Sequence, residues 1–152
     1  MKSLRILMVF ALVLTAAPAL FGADFGIRAG RFNDAEEEFV GAELLFDLGS
    51  ININPNIEYS LAEDVTVGSA NLDVTFDILN LGVAVPYLGA GVGMNYYDDD
   101  FGNETDVVGN LIGGVAFKLD FLTPYAQVKY VKLLDSDEDS DDDYAFIVGL
   151  RF

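Results

Sequence analysis

The stretch Ile51-Asn52-Ile53-Asn54-Pro55-Asn56-Ile57-Glu58-Tyr59-Ser60-Leu61 decides the fold. Asn52, Asn54, Asn56, Glu58 and Ser60 hold every second position, and the residues between them are apolar, interrupted only at Pro55. A period of two belongs to a β-strand, whose successive side chains point to opposite faces, so this segment has one wet face and one apolar face. The same sorting recurs outward from it. Asn71, Asp73, Thr75 and Asp77 alternate with Leu72, Val74, Phe76 and Ile78, and Gly41, Glu43, Leu45 and Asp47 alternate with Val40, Ala42, Leu44, Phe46 and Leu48.

Eight such segments are predicted, at 24–32, 38–48, 51–61, 70–79, 83–97, 106–120, 123–133 and 144–152. Strands of soluble proteins peak at about five or six residues, whereas a tilted strand that crosses a bilayer needs about nine to eleven. The connections fall into two kinds. After the second, fourth and sixth strands they are short, around Gly49-Ser50, Asn80-Leu81-Gly82 and Phe121-Leu122; after the odd-numbered strands they are longer and acidic. Short turns on one rim and longer loops on the other predict an all-β, eight-stranded, antiparallel up-and-down transmembrane β-barrel. An even strand number puts both chain ends on the short-turn rim, which is expected to be periplasmic, with the acidic loops extracellular.

The composition fits this pattern. Of 152 residues 52% are hydrophobic, yet no run after the N-terminal segment reaches the length of a transmembrane helix. Lys2 and Arg5 precede an apolar run over 6–14 and the small-residue stretch Thr15-Ala16-Ala17-Pro18-Ala19, the layout of a secretory signal peptide at 1–23, cleaved between 19 and 23. The run is short for a retained membrane helix. One domain, the barrel at 24–152, is expected after it. The absence of cysteine excludes disulfides and a lipoprotein anchor. The net charge of −17 becomes −19 once Lys2 and Arg5 are removed, and so acidic a chain lacks the clustered cations that nucleic acid requires.

Gly89, Gly91 and Gly93 share the face of Tyr87 and Asn95, opposite Leu88, Ala90, Val92 and Met94, and Gly109, Gly113 and Gly114 follow in the next strand. Such glycines suit tight curvature or a large side chain inside a narrow barrel. A phosphate-binding glycine loop is disfavoured, because no helix pattern or lysine follows at the required spacing.

The opening Phe25-Gly26-Ile27-Arg28-Ala29-Gly30, the stretch from Val85 to Gly93 and the C-terminal strand resemble the small outer-membrane β-barrel proteins, the group that includes the barrel half of OmpA, OmpX and the opacity-type surface proteins. Tyr144, Phe146, Val148, Leu150 and the terminal Phe152 alternate as in the signal read by the barrel-assembly machinery of that family. The resemblance implies that machinery as a partner during biogenesis, and outer-membrane lipid and lipopolysaccharide as surroundings. No peptidoglycan-binding domain follows Phe152, so a cell-wall tether is not expected.

By the alternation, Arg28, Glu43, Glu58, Asp73, Asp77, Lys118, Lys129 and Arg151 point inward with Asp47, Asn52, Asn54, Asn56, Asn110 and Gln127. Eight strands leave an interior just wide enough for side chains to fill, so these charges are expected to pair into a lumen network. An ion path lined by them is disfavoured, since open aqueous channels take sixteen or more strands. With no histidine or cysteine the usual nucleophile–base pairs and imidazole or thiolate metal sites cannot be built; no enzyme activity and no cofactor are expected. In the acidic segment 135–143, Asp135, Asp137 and Asp139 fall at the first, third and fifth places of a calcium loop. Ser140 replaces the required glycine and Phe146 the bidentate Glu, so only weak divalent-cation binding is conceivable beside the alternative of a solvated loop.

The resulting expectation is an integral barrel with a structural or surface role and a lumen closed by polar and charged side chains. Its rivals are a narrow transport barrel for small hydrophobic molecules, of the OmpW kind, and a soluble eight-stranded carrier of the lipocalin kind, whose interior would be apolar and exterior polar.

Overall fold

The computed structural model describes residues 22–61, 66–99, 102–134 and 142–152. Eight strands form it: β1 (Asp24–Phe32), β2 (Glu38–Asp47), β3 (Ile51–Ser60), β4 (Thr66–Asp77), β5 (Ala84–Asp99), β6 (Gly102–Phe117), β7 (Thr123–Leu133) and β8 (Asp142–Arg151). Each is antiparallel to its sequence neighbour, and β1 also pairs with β8, so the sheet closes. Closure leaves no row of unpaired backbone groups, the condition for strands to cross lipid.

The strands are tilted. A row of partners that leaves Asp24 through Leu45, and continues from Asn54 through Asp73, Gly91, Asn110 and Val131, ends at Asp143. The Asp143 carboxylate accepts the N–H groups of Asp34 (2.9 Å) and Ala35 (3.1 Å), beyond the far end of β1. One circuit of the wall thus climbs from the turn end to the loop end, as closure with a stagger requires.

Several strand ends differ from the sequence expectation. β6 begins at Gly102 rather than at 106, because the β5–β6 hairpin continues through Tyr96↔Thr105, Tyr97↔Glu104, Asp98↔Asn103 and Asp99↔Gly102, and β4 begins at Thr66 rather than at 70, because it pairs with the same stretch of β5 through Thr66↔Asp98, Val67↔Tyr97 and Gly68↔Tyr96. Aromatic and β-branched residues favour that pairing, so Asp98 and Asp99 lie in a strand and not in a loop. β6 ends at Phe117, not at 120, which leaves Lys118 in the following turn. The segment read as a signal peptide lies outside the described residues up to position 21.

Pro55 sits inside β3 with neighbours on both sides, a position where its missing N–H breaks a ladder. Pairing between β2 and β3 lapses there, between Glu43↔Asn56 and Phe46↔Ile53. The Asn54 side-chain amide donates to the Leu44 carbonyl at 2.7 Å and supplies the lost donor. The short turns repeat one device: Gly49 (φ 96°) and Gly82 (φ 81°) adopt left-handed conformations, and their N–H groups bond the Asp47 and Asn80 side chains two residues back, at 2.8 and 3.0 Å.

The outward rows are apolar, with Ile27, Leu72, Leu88, Val92, Leu111 and Val148 all exposed. Tyr59, Tyr96, Tyr130 and Tyr144 end these rows at the loop rim, and Phe25, Phe46, Phe76, Phe117 and Phe152 at the turn rim. Aromatic girdles that bracket an apolar band mark the two interfaces of a membrane. An apolar outside around a charged inside is the reverse of a soluble carrier, so the molecule is a transmembrane β-barrel.

Candidate functional site

The site lies inside the wall. Arg28 on β1, Glu43 on β2, Glu58 on β3, Lys129 on β7 and Arg151 on β8 occupy inward positions and are buried, Glu43 completely. They form a chain of alternating sign. Arg151 Nε lies 2.7 Å from Glu43 Oε1; Arg28 Nη1 lies 3.3 Å from Glu43 Oε2 and its Nη2 3.0 Å from Glu58 Oε1; Lys129 Nζ lies 2.6 and 2.7 Å from the two Glu58 oxygens. The Arg28 Nη2 contact is an ion pair without hydrogen-bond alignment. β3 and β7 are diametrically opposite in a ring of eight, so the Lys129–Glu58 contact crosses the bore.

Aromatic rings flank the chain. The Arg151 guanidinium sits 4.0 Å over the Tyr125 ring, and Lys129 Nζ lies 5.9 Å from the Phe39 ring centre. Tyr87 donates its hydroxyl proton to Gln127 at 2.8 Å. Phe39, Tyr87, Ile112, Ala116, Tyr125, Ala145 and Ile147 pack together as a buried apolar cluster within the same interior.

The side of the interior formed by β3, β4 and β6 holds amides instead. Asp73 accepts from Asn56 (2.8 Å) and Asn110 (3.1 Å), and Asn71 donates to Asn56 (3.2 Å) and accepts from Asn110 (3.0 Å). Inward glycines make room for both groups. A Cβ on Gly41 would meet Arg28 Cγ at 3.1 Å and Glu58 Cγ at 3.3 Å, one on Gly26 would meet Glu43 at 2.7 Å, and one on Gly114 the Tyr87 ring at 2.6 Å. On β5, added Cβ atoms at Gly91 and Gly93 would collide with the Asp73 and Asn71 oxygens. Gly113 differs: its added Cβ would meet only Leu88 Cδ2, at 3.3 Å.

No protein-family model matches the chain, and no curated protein does. Solved structures do. The N-terminal β-barrel domain of OprF from Pseudomonas aeruginosa superposes with a TM-score of 0.72 over 86% of this chain and 95% of that one, at 14% identity. Neisserial surface protein A gives 0.65 at 12% identity over 85% and 94%. The chain has the fold of the small outer-membrane β-barrels. The outer membrane enzyme PagL shares it as well, with a TM-score of 0.59 at 11% identity over 86% and 99%; at such identities the likeness carries architecture and no activity.

Within the barrel, the eight expected lumen residues divide three ways. Arg28, Glu43, Glu58, Lys129 and Arg151 form the ion chain, and Asp73 joins the amide group with no cation among its hydrogen-bond partners. Asp77 and Lys118 stand at the turn-end mouth: Lys118 Nζ lies 3.7 Å from both Asp47 and Asp77, and its side chain is 44% exposed. Lys118 is thus not part of a buried network, because β6 has already ended. Tyr144, Phe146, Val148 and Phe152 are exposed on the outer wall, with Leu150 half-buried in the same row. Asp135, Asp137 and Asp139 lie outside the described residues. Sequence reasoning passed over Phe39, Tyr125, Ile112 and Ile147 as lumen residues. Their signal was parity: Tyr125 shares a face with Gln127 and Lys129, and Phe39 with Gly41 and Glu43.

Proposed function

We propose that this chain is an integral bacterial outer-membrane barrel with a structural or surface role, whose lumen is held closed by the buried ion chain. The observation that carries the reading is the Lys129–Glu58 pair, which spans the bore while Arg28 links it to Glu43, itself paired with Arg151. A buried pair stripped of one partner is strongly unfavourable, so the chain resists opening one link at a time. Both chain ends belong to the periplasmic rim and the loops face outside. The outward row from Tyr144 to Phe152 is the segment offered to the assembly machinery, and neither a reaction nor a cofactor is part of the role.

Planar-bilayer recording tests the closed lumen. Purified protein is expected to show no steady, large conductance. Porin-sized steps from the unaltered protein would overturn the reading; steps that appear only in Lys129→Ala would identify the plug. Uptake of a small hydrophobic compound without ionic current would favour a narrow transport barrel instead.

A further inference from the structure

We infer that the outer wall over β6, β7, β8 and β1 holds a phosphate-bearing membrane lipid, its acyl chain in an apolar groove and its headgroup against Arg31 and Lys132. The inference rests on the outer-membrane reading above and adds to it a defined place and headgroup chemistry. A shallow, largely open depression of about 700 Å³ lies on this wall. Its loop-side row is a run of register partners, Gly113↔Val128↔Phe146↔Arg31, and Ala126 and Ala29 lie in the next row toward the turn end. Glycine and alanine leave the floor low where Phe146 and Val128 form a raised flank. The groove therefore ends on a cation.

The charge distribution selects the occupant. Of the cations among the described residues, Arg28, Lys129 and Arg151 are committed inside the barrel and Lys118 at the turn-end mouth. Arg31 and Lys132 remain, both exposed, both on outward rows at the loop rim, and neither in an ion pair among the described residues. Glu38 and Asp142 stand opposite them in register, and the Asp142 carboxylate accepts from the Tyr130 hydroxyl at 2.7 Å. Lys132 lies four positions beyond Val128 on β7, and the climb of the partner rows from β7 to β1 brings Arg31 to a comparable height. One strand, β8, separates them, so the gap is two strand spacings, about 10 Å, within reach of two long side chains that converge on one headgroup. A chain this acidic repels an anionic lipid surface everywhere else on this rim. Its two free cations placed where the apolar band ends give an anionic headgroup one attractive position, with an adjacent groove for its chain.

Native mass spectrometry of the full detergent-extracted protein, loaded with a phosphorylated disaccharide glycolipid or its dephosphorylated counterpart, tests this. Preferential retention of the phosphorylated lipid is expected. A near-surface cation contributes about fivefold to anionic-lipid affinity, so Arg31→Gln with Lys132→Gln should lower retention about 25-fold. Lys118→Gln should leave it unchanged, and Ala126→Trp, which fills the groove without touching charge, should weaken the acylated lipid. Equal retention by the double variant overturns the site, and so does effective competition by inorganic phosphate, which would indicate a free-anion site with no part for the groove. Flotation of the same preparations with vesicles separates the failures. Protein that does not insert sinks the membrane reading with the site, whereas inserted protein with no phosphate preference sinks the site alone.

Discussion

The two sides of the barrel interior solve the same problem with different chemistry. Across β1, β2, β3, β7 and β8 the filling is ionic: three cations and two carboxylates in alternating contact, several at 2.6 to 3.3 Å. Across β3, β4 and β6 it is almost neutral, four polar side chains linked by amide hydrogen bonds around Asp73. The difference lies in reach. Lysine and arginine are long enough to cross a bore eight strands wide, so the charged side supplies the cross-links, while the amide side, backed by the glycines of β5, supplies a short-chained wall that leaves them space.

The comparison predicts unequal consequences for two changes that each remove one buried carboxylate charge. Glu58→Gln strands Lys129, whose ion pair among the described residues is with Glu58, leaves Arg28 with Glu43 alone, and should cost about 3 to 5 kcal/mol of folding stability. Asp73→Asn keeps a hydrogen-bonding group among amides and should cost about 1 to 3 kcal/mol. Urea titrations in lipid vesicles, followed by the heat-modifiable gel shift, measure both. A loss for Asp73→Asn equal to that for Glu58→Gln would mean that the two sides are not energetically distinct.

Much of this was legible in the sequence, and what was not has a common cause. Alternation gives the face of each residue, and at Arg28, Glu43, Glu58 and Lys129 face alone announced a buried charge. It gives neither height along the tilted wall nor partner, because partners inside a barrel are set by the stagger between strands far apart in sequence. Asp73 therefore read as one more charge for the network although its neighbours are Asn56 and Asn110. Lys118 read as inward although its strand stops one residue earlier. The inward aromatics Tyr125 and Phe39 were obscured by the rule that polar residues face in, which holds for wide, wet barrels and weakens when a narrow one must be filled.

A middle-sized effect sharpens the role of the glycines. At Gly91 a methyl group would meet the Leu72 carbonyl at 2.7 Å and the Asp73 Cα at 2.9 Å, so backbone must move, whereas at Gly113 it would meet one flexible leucine tip at 3.3 Å. Gly91→Ala should cost about 1 to 3 kcal/mol in the same titration and Gly113→Ala much less. Equal tolerance at both sites would show that the inner wall is not filled as tightly as these distances require.

The smallest effect belongs to the mouth, where charge pairing looks similar on paper and differs in surroundings. Lys118 has two carboxylates within reach, as Arg28 does, but both lie 3.7 Å away, its side chain is 44% exposed, and Asp77 already accepts from Asn52 at 3.0 Å. Water screens such a pair, and holding a long lysine in one rotamer offsets part of the attraction, so exposed pairs contribute about 0 to 1 kcal/mol. Lys118→Ala should therefore shift the unfolding free energy by less than about 1 kcal/mol, and what it does contribute should vanish in molar salt, where screening acts over about 3 Å. The deficit of Glu58→Gln should persist in the same salt, because neither Lys129 nor Arg28 is reached by solvent ions. A Lys118→Ala deficit that matches Glu58→Gln, or salt sensitivity in both, would show that the ion chain is wetter than its burial indicates and would remove the reason for expecting the lumen to stay shut.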